Sequence, residues 1–354
     1  MDILQTITEL SHEFGTIDFV RGGGGNTSCK DEKTLWVKPS GTTLAGLQPE
    51  SFVALDRNNL SKLYQVQTPS EPSKREKLVK EIMSEAVLQT SQGRASVEAP
   101  LHDSLNARYV VHTHPYIVNG LTCAKNGRAV CNELFPSALW LDYIDPGYTL
   151  CMQVRTEIQQ YEQVNSKQPD MIFLKNHGVF VSADDPDQLR QIYNNIIQTL
   201  KNQYEAKNIS LELEIGPVPS AETAEKVQKL LAEALSSETI CIAASGMFTY
   251  PKGPISPDHI VYAKSYPYIG LPASEEIDQF NAKHGYNPKI VVCENAVFGI
   301  GYSDKKAALA LELAQDGTLV QQLANAFGGI EYMTDQAREF IENWEVESYR
   351  SKQL

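Results

Sequence analysis

Two histidines separated by one residue, His112 and His114, end the apolar run VVHTHP. In a β-strand, residues i and i+2 point to the same face, with Cα atoms about 6.5–7 Å apart. Two imidazoles at that spacing can bind one zinc ion through bonds of about 2.0–2.1 Å. Histidines packed at the end of a strand would have the same spacing, and zinc takes three or four ligands. The pair alone is therefore compatible with a metal site but does not establish one.

A third histidine lies in FLKNHGVFV, where His177 follows Asn176 and precedes Gly178 within a second apolar run. A strand interior rarely contains Asn-His-Gly unless its backbone bends or another group approaches closely. A bulge alone would explain that sequence. Three histidines that each end or interrupt a buried strand are harder to explain as core packing. Together they favour a catalytic zinc site with three histidine ligands and an open position.

A carboxylate upstream, Glu98 in RASVEAPLH, has two interpretations. It can place negative charge at the N-terminus of the helix that follows, where such charge is favourable. Beside a metal with an open coordination position, it would instead suit a general base. The spacing does not decide between these. His102, one turn into that helix, is interpreted as a surface residue rather than a partner of the site.

Two loops carry residues suited to binding an anion. The glycine run that ends in Gly25 and Asn26 is not a GxGxxG dinucleotide motif, because Thr27 takes the last glycine's place and no helix follows. Its backbone can bend so that N–H groups reach an anion. VKPSGTT adds Lys38, which can pair with a phosphate, and the Ser40–Gly41 turn, where the hydroxyl can donate. A flexible loop and an ordinary turn are the alternatives. Together the loops favour a phosphate site.

The composition is that of a globular protein and limits its partners. The chain has 354 residues, 42% hydrophobic and 21% charged, with a formal net charge of −13. This acidic balance argues against nucleic acid or an anionic membrane as the main partner. We see neither a secretory signal nor an apolar run of about 18 residues. The six cysteines are dispersed without a CxxC pair, which is typical of free thiols. These features predict a cytoplasmic protein.

The pattern of the chain predicts an α/β protein in two parts. Predicted strands include YVVHTH, MIFLKNHGVFVSA and PDHIVYA, and they mix with helices without a regular β-α-β rhythm. A doubly wound nucleotide-binding fold is therefore not favoured. A composition shift at residues 209–222, punctuated by Pro and Gly, predicts a boundary between residues 1–208 and 220–354. No repeat at a fixed short period is visible.

The ordered motifs GGGGNTSCK, LWVKPSG, SVE, VVHTHP and NHG resemble the class II aldolase/adducin family. The resemblance covers roughly residues 1–207. It implies a central mixed or antiparallel β-sheet flanked by helices, to which residues 220–354 add a C-terminal α/β extension. It also implies zinc, or another divalent metal such as Mn²⁺, on His112, His114 and His177. Glu98 takes the place of the catalytic carboxylate.

The same resemblance assigns Gly25, Asn26, Ser40, Gly41 and Ser96 to a phosphate pocket. Some sugar-phosphate aldolases have a serine where this chain has Val97. That departure bears on whether the substrate is phosphorylated. The family's proton-donating tyrosine cannot be placed among sixteen tyrosines.

The activity implied by the resemblance is reversible retro-aldol cleavage of a ketose 1-phosphate, similar to rhamnulose or fuculose 1-phosphate. The products would be dihydroxyacetone phosphate and an aldehyde. The alternatives are a sugar-phosphate 4-epimerase, a sugar-acid-phosphate decarboxylase and a non-catalytic adducin-like scaffold. Related epimerases tend to have aspartate at the position of Glu98, so glutamate favours the aldolase. The expected partners are a sugar phosphate and further copies of the chain, in a tetramer.

Overall fold

The computed structural model describes residues 2–69, 71–91 and 93–344. Within them the chain forms two compact units. The first contains residues 2–118 and Arg128–Leu200, and the second contains Asn119–Gly127 and residues 201–344. None of the helices in the described part of the chain is both long and apolar enough to cross a membrane.

A seven-stranded mixed sheet forms the centre of the first unit. Its strands are β1 (Asn26–Lys30), β2 (Thr34–Val37), β3 (Val53–Asp56), β4 (Tyr109–Thr113), β5 (Leu139–Leu141), β6 (Met171–Leu174) and β7 (Gly178–Ala183). They are ordered β3-β2-β1-β4-β7-β6-β5, and every neighbouring pair is antiparallel except β5 and β6. All five residues of β4 are buried, because it lies in the middle of the sheet.

Helices accompany this sheet. They are α1 (Ile3–Glu13), α2 (Arg57–Leu60), α3 (Pro72–Ala86), α4 (Ala99–Ser104), α5 (Tyr116–Thr122), α6 (Gly127–Leu134), α7 (Tyr148–Asn165) and α8 (Pro186–Ala206), of which α5 and α8 continue into the second unit. One apolar cluster joins α4 and α7 to β4, β6 and β7, through residues such as Leu101, Val154 and Phe180. This packing fixes α4, and with it Glu98, beside the sheet.

The second unit has a four-stranded sheet and its own helices. Its elements are α9 (Ala221–Ala234), β8 (Cys241–Gly246), α10 (Pro257–Ala263), β9 (Tyr268–Ile269), α11 (Ser274–His284), β10 (Ile290–Cys293), β11 (Ala296–Gly301), α12 (Asp304–Ala324) and α13 (Asp335–Asn343). The strand order is β8-β11-β10-β9. The predicted α/β fold, a central mixed sheet followed by a C-terminal α/β extension, is thus confirmed.

The second sheet repeats the topology of four strands in the first. The order β8-β11-β10-β9 corresponds to β4-β7-β6-β5, with two antiparallel contacts and then a parallel one in each. One helix, α7 or α11, connects the parallel strands, and a 21-residue helix, α8 or α12, follows the last strand. The extension therefore contains a structural counterpart of the half of the first unit that carries the three histidines.

Two predictions of strands are wrong. PDHIVYA is helix α10, which begins at Pro257 after the extended Ser256 and ends before Lys264, whose φ of 64° stops it. Its β-branched residues resembled a strand, but proline is well suited to a helix's first turn. MIFLKNHGVFVSA is a hairpin of β6 and β7 rather than one strand, because Asn176 adopts a φ of 53° and reverses the chain.

Lys30 is a buried lysine whose protonation should influence stability. Its Nζ donates to Leu105 O and Ala107 O, both at 2.8 Å, and burial lowers the pKa of Lys30 to about 7. Between that pH and about 10, the unfolded chain binds a proton that the folded chain lacks, so stability should rise with pH. The unfolding free energy of wild type minus that of Lys30→Met should rise by up to about 1.4 kcal/mol per pH unit. Urea titrations at neutral and alkaline pH measure the difference, and a constant difference would contradict the expectation.

Candidate metal centre

The central strand of the first sheet, β4, contains His112 and ends at Thr113, directly before His114. His112 lies in β4 opposite Asn26 of β1 and Phe180 of β7, and its imidazole stacks on the Phe180 ring with centroids 3.8 Å apart. His112 Nδ1 lies 3.0 Å from Val179 O. Because a carbonyl only accepts, Nδ1 carries the proton and donates. The lone pair of His112 is therefore on Nε2, which faces the other two histidines.

The third histidine is positioned by the hairpin turn. His177 follows Asn176, and Gly178 begins β7. A Cβ on Gly178 would lie 2.4 Å from Thr113 O and 2.7 Å from the His114 ring. The glycine thus lets the turn approach β4 closely enough to bring His177 to the pair. The unusual Asn-His-Gly sequence has a structural cause at both positions that flank the histidine.

The three imidazoles have the geometry of a divalent-metal site. Their candidate ligand atoms all lie within 4.8 Å of one another. His112 Nε2 lies 2.9 Å from His114 Nε2 and 3.4 Å from His177 Nε2. Nitrogens bound tetrahedrally to one zinc ion would be about 3.3 Å apart. The histidines fit a metal with little rearrangement.

Glu98 lies beside this triad at the residue that precedes α4. Its Oε1 is 3.6 Å from His112 Nε2 and 4.0 Å from His177 Nε2. Asn26 Nδ2 donates to Glu98 Oε2 at 3.3 Å and to Ser96 Oγ at 2.5 Å. The side chain of Glu98 is 15% exposed, so solvent reaches it from one side. The carboxylate is thus held with one oxygen toward the histidines.

The predicted phosphate residues are only partly brought together. Gly25 has a φ of 69°, and a Cβ there would lie 2.9 Å from His112 O, so this position requires glycine. Asn26 and Ser96 contact Glu98 or each other. These three residues therefore adjoin the metal centre, and their assignment to a phosphate remains a prediction.

The other predicted phosphate residues lie on the loop after β2. Lys38 is buried, with its Nζ 3.3 Å from Gly23 O in the glycine run. Ser40 N donates to Arg94 O, and Gly41 has a φ of 82°. Their described contacts therefore lead toward the glycine run and the segment before Ser96.

The interpretation of His102 as a surface residue is wrong. It is fully buried, and its Nδ1 lies 2.7 Å from Ser28 Oγ. Burial lowers the pKa of His102 to about 3, so the ring is neutral. The spacing could have indicated that His102 lies near Glu98, because residues four apart at the start of a helix lie on the same side of it. With Ser28 and Asn26 also on one face of β1, His102 forms part of the wall behind Glu98.

The chain belongs to the class II aldolase/adducin family. Residues 5–204, more than half of the chain, match the family described as "Class II Aldolase and Adducin N-terminal domain". This match contains all three histidines, Glu98 and the predicted phosphate residues.

Among individual proteins, the chain is similar to an uncharacterized oxidoreductase, YuxG, of Bacillus subtilis strain 168, with 26% identity over 187 residues. The match covers 50% of this chain and 26% of that protein, so the chain spans about a quarter of its relative's length. Two solved structures are also similar. One is the N-terminal class II aldolase domain of a conserved Thermoplasma acidophilum protein, with 22% identity and a TM-score of 0.48. This match covers 56% of the present chain and 92% of that domain. The other is L-fuculose-1-phosphate aldolase from Thermus thermophilus, with 13% identity and a TM-score of 0.39. This match covers 58% of the present chain and 95% of the aldolase.

Proposed function

We propose that the chain is a metal-dependent lyase that reversibly cleaves a ketose 1-phosphate into dihydroxyacetone phosphate and an aldehyde. The observation that carries this proposal is the position of Glu98, with Oε1 3.6 Å from His112 Nε2 beside three convergent imidazoles. Such a carboxylate can exchange a proton with a substrate carbon held at the metal. A scaffold without catalysis would have no need of this combination.

The proposed chemistry divides between the ion and the chain. When bound, a divalent cation such as zinc would supply Lewis-acid stabilisation of negative charge on the substrate's oxygens. In the cleavage direction, the bond between C3 and C4 of the ketose breaks, and its electron pair remains on C3. Glu98 delivers a proton to C3, the C4 hydroxyl releases its proton to solvent as the aldehyde forms, and Glu98 takes up a proton from solvent to complete the cycle. Asn26 supports this role because its donation to Oε2 leaves Oε1 directed at the reaction centre.

The glycine run would hold the phosphate in this proposal. Gly25 and Asn26 directly adjoin the centre, and Lys38 carries positive charge into the glycine run. A phosphate bound there would place the adjoining carbons near the histidines. Ser96 can contribute a hydroxyl, whereas Val97 cannot. The match between pocket and phosphate is therefore less complete than the match between the histidines and a metal.

A screen of purified protein tests the activity. Rhamnulose 1-phosphate, fuculose 1-phosphate and their unphosphorylated sugars are incubated with the metal-loaded protein, and aldehyde release is followed with a coupled reductase. We expect release from a phosphorylated ketose, abolished by EDTA and restored by zinc or manganese. Ribulose 5-phosphate and four-carbon sugar-acid phosphates serve as parallel substrates. Epimerisation or CO₂ release from these, without aldehyde from any ketose phosphate, would overturn the aldolase proposal.

A further inference from the structure

Strand β8 is the long outer edge of the second sheet. Its counterpart in the first unit, β4, pairs on one side with β7 and on the other with β1. Strand β8 pairs with β11 alone, and no described strand takes the place of β1. The repeated topology thus leaves unpaired, in the second unit, an edge that a strand covers in the first.

The registers show that this is the same edge. Ala244 lies opposite Phe298, as His112 lies opposite Phe180, and in each case a valine precedes the phenylalanine. Gly246 follows Ala244 at the interval by which His114 follows His112. In the first hairpin, three residues separate the paired strand ends Leu174 and Gly178, and His177 is one of them. In the second hairpin, only two residues separate the paired ends Cys293 and Ala296, and neither is a histidine. The second sheet therefore has the strand arrangement of the first sheet without the three histidines at the corresponding positions.

The backbone of β8 offers hydrogen bonds on its open side. Ile300 N donates to Lys289 O, so the backbone N–H and C=O of Ile300 point toward β10. The backbone N–H and C=O of Ile242, which lies opposite Ile300, therefore point away from β11. Because this direction alternates along a strand, the backbone N–H and C=O of Ala244 also point outward. No hydrogen bond joins these outward N–H and C=O groups to a described residue. At the end of the strand, Gly216 N donates to Met247 O, and the backbone of Gly216 and Pro217 packs against Gly246.

The strand lacks the features that normally protect an edge. Its sequence, CIAASG, contains neither charge nor proline, and its six residues pair in unbroken register with β11. The opposite edge, β9, has only two residues. In the first unit the outer strand β3 is covered, since Leu88 N donates to Ala54 O. The side chains of Ile242 and Ala244 join the apolar cluster of the second unit but are only partly buried, so this core ends at the open edge.

We propose that β8 pairs antiparallel with β8 of a second copy of this chain, which joins two four-stranded sheets into one of eight strands. A two-fold axis makes two identical strands antiparallel, the direction in which β1 covers β4. An axis at Ala243 pairs Ile242 with the partner's Ala244, and this satisfies the outward groups of both copies. The uncharged strand brings no like charges together, and alanine at the axis permits close approach. The proposal is independent of the reaction at the metal centre.

A disulfide across the axis tests the pairing directly. Residues opposite each other in a non-hydrogen-bonded antiparallel pair have Cα atoms about 4.5 Å apart, within the range that a disulfide bridges. Ala243→Cys, in the full chain with Cys241→Ser, should form a reducible covalent dimer on mild oxidation. The control is Ile269→Cys in the same background, at a position 76% exposed on the opposite edge. We expect cross-linking at least tenfold faster at residue 243, and equal rates would overturn the proposal.

Proline at an outward position gives an independent measurement. Proline is tolerated in an edge strand where its missing N–H faces outward, so Ala244→Pro should keep the fold and block pairing. Light scattering should show the mass of the assembly halved, with unchanged circular dichroism. An unchanged mass would overturn the proposal. Deleting residues 345–354 tests another occupant, the chain's own C-terminal end. If the deletion were required for rapid cross-linking at residue 243, that segment would cover β8 and the proposal would be wrong.

Discussion

Replacing Glu98 by glutamine should lower turnover of the cleaved ketose phosphate at least about 100-fold, the usual contribution of a general acid or base. Glutamine keeps the size of the side chain and can still interact with Asn26 Nδ2 through its carbonyl oxygen. It cannot exchange a proton with the substrate carbon. Since Glu98 Oε1 lies 3.6 Å from His112 Nε2, at the edge of the triad rather than within it, the bound metal should be retained. Steady-state kinetics and metal analysis of the same preparation measure both quantities.

The control for this substitution is Glu85→Gln, which makes the same chemical change at an exposed position on α3. It should leave turnover and metal content at wild-type values. Turnover of Glu98→Gln within a fewfold of wild type would contradict the role of Glu98 as the proton carrier. Loss of the metal from Glu98→Gln would show that the carboxylate is a ligand, and that result too would contradict the role proposed here.

Strand alternation and composition were sufficient to predict part of the metal centre. His112 lies in β4 and His114 directly follows its last residue, Thr113, and their imidazoles converge as their spacing predicted. The place of His177 required more, because the apolar run around it continues on both sides. Asn176 and Gly178 indicated that the backbone bends, but they did not show that it reverses into a hairpin. The positive φ of Asn176 and the close contact of Gly178 with Thr113 O are tertiary facts.

Other features depend on packing that a linear pattern does not contain. His102 is buried because α4 lies against β1, where Ser28 contacts its ring. Lys30 is buried because the turn after α4 presents two carbonyls to it. PDHIVYA has the composition of a strand, and its helix follows from the conformations of Ser256 and Pro257. Local sequence is a weak guide at His102 and Lys30 because the contacts that decide their burial come from distant parts of the chain. The helix of PDHIVYA, in contrast, begins at a proline that was visible in the sequence.

The repeat of the strand topology in the second unit could not be predicted from the sequence pattern. The two sheets have few identical residues at corresponding positions. The clearest are the asparagines in the two hairpin turns, Asn176 and Asn295, with φ of 53° and 55°. Both turns lead into Val-Phe in the following strand. Backbone hydrogen bonds and register preserve a sheet even when most side chains differ, because the ladder depends on the main chain. The second sheet has the same strand order without the three histidines, so this topology does not by itself require the chemistry of the first sheet.

Removing His177 should have the other large effect. His177→Ala removes one of three nitrogens within 4.8 Å of one another, and it does so in a turn where alanine needs no unusual conformation of its own. Loss of a group that only supports a metal ligand already costs about 10–100-fold in affinity. Loss of the ligand itself should therefore weaken binding by more than about 100-fold, and cleavage should fall with the bound metal. Equilibrium dialysis followed by elemental analysis measures the affinity and the stoichiometry.

The matched control is His12→Ala, which removes an exposed histidine of the same unit and should keep one metal per chain. Because the repeated sheet has Ala244 and Gly246 at the corresponding strand positions, it supplies no second site that could mask the loss. The stoichiometry of His177→Ala at limiting metal should thus fall from one toward zero rather than from two toward one. Retention of one tightly bound ion by His177→Ala would mean that the metal is held elsewhere. The three imidazoles would then be neighbours by packing alone, and Glu98 would have no ion beside which to act.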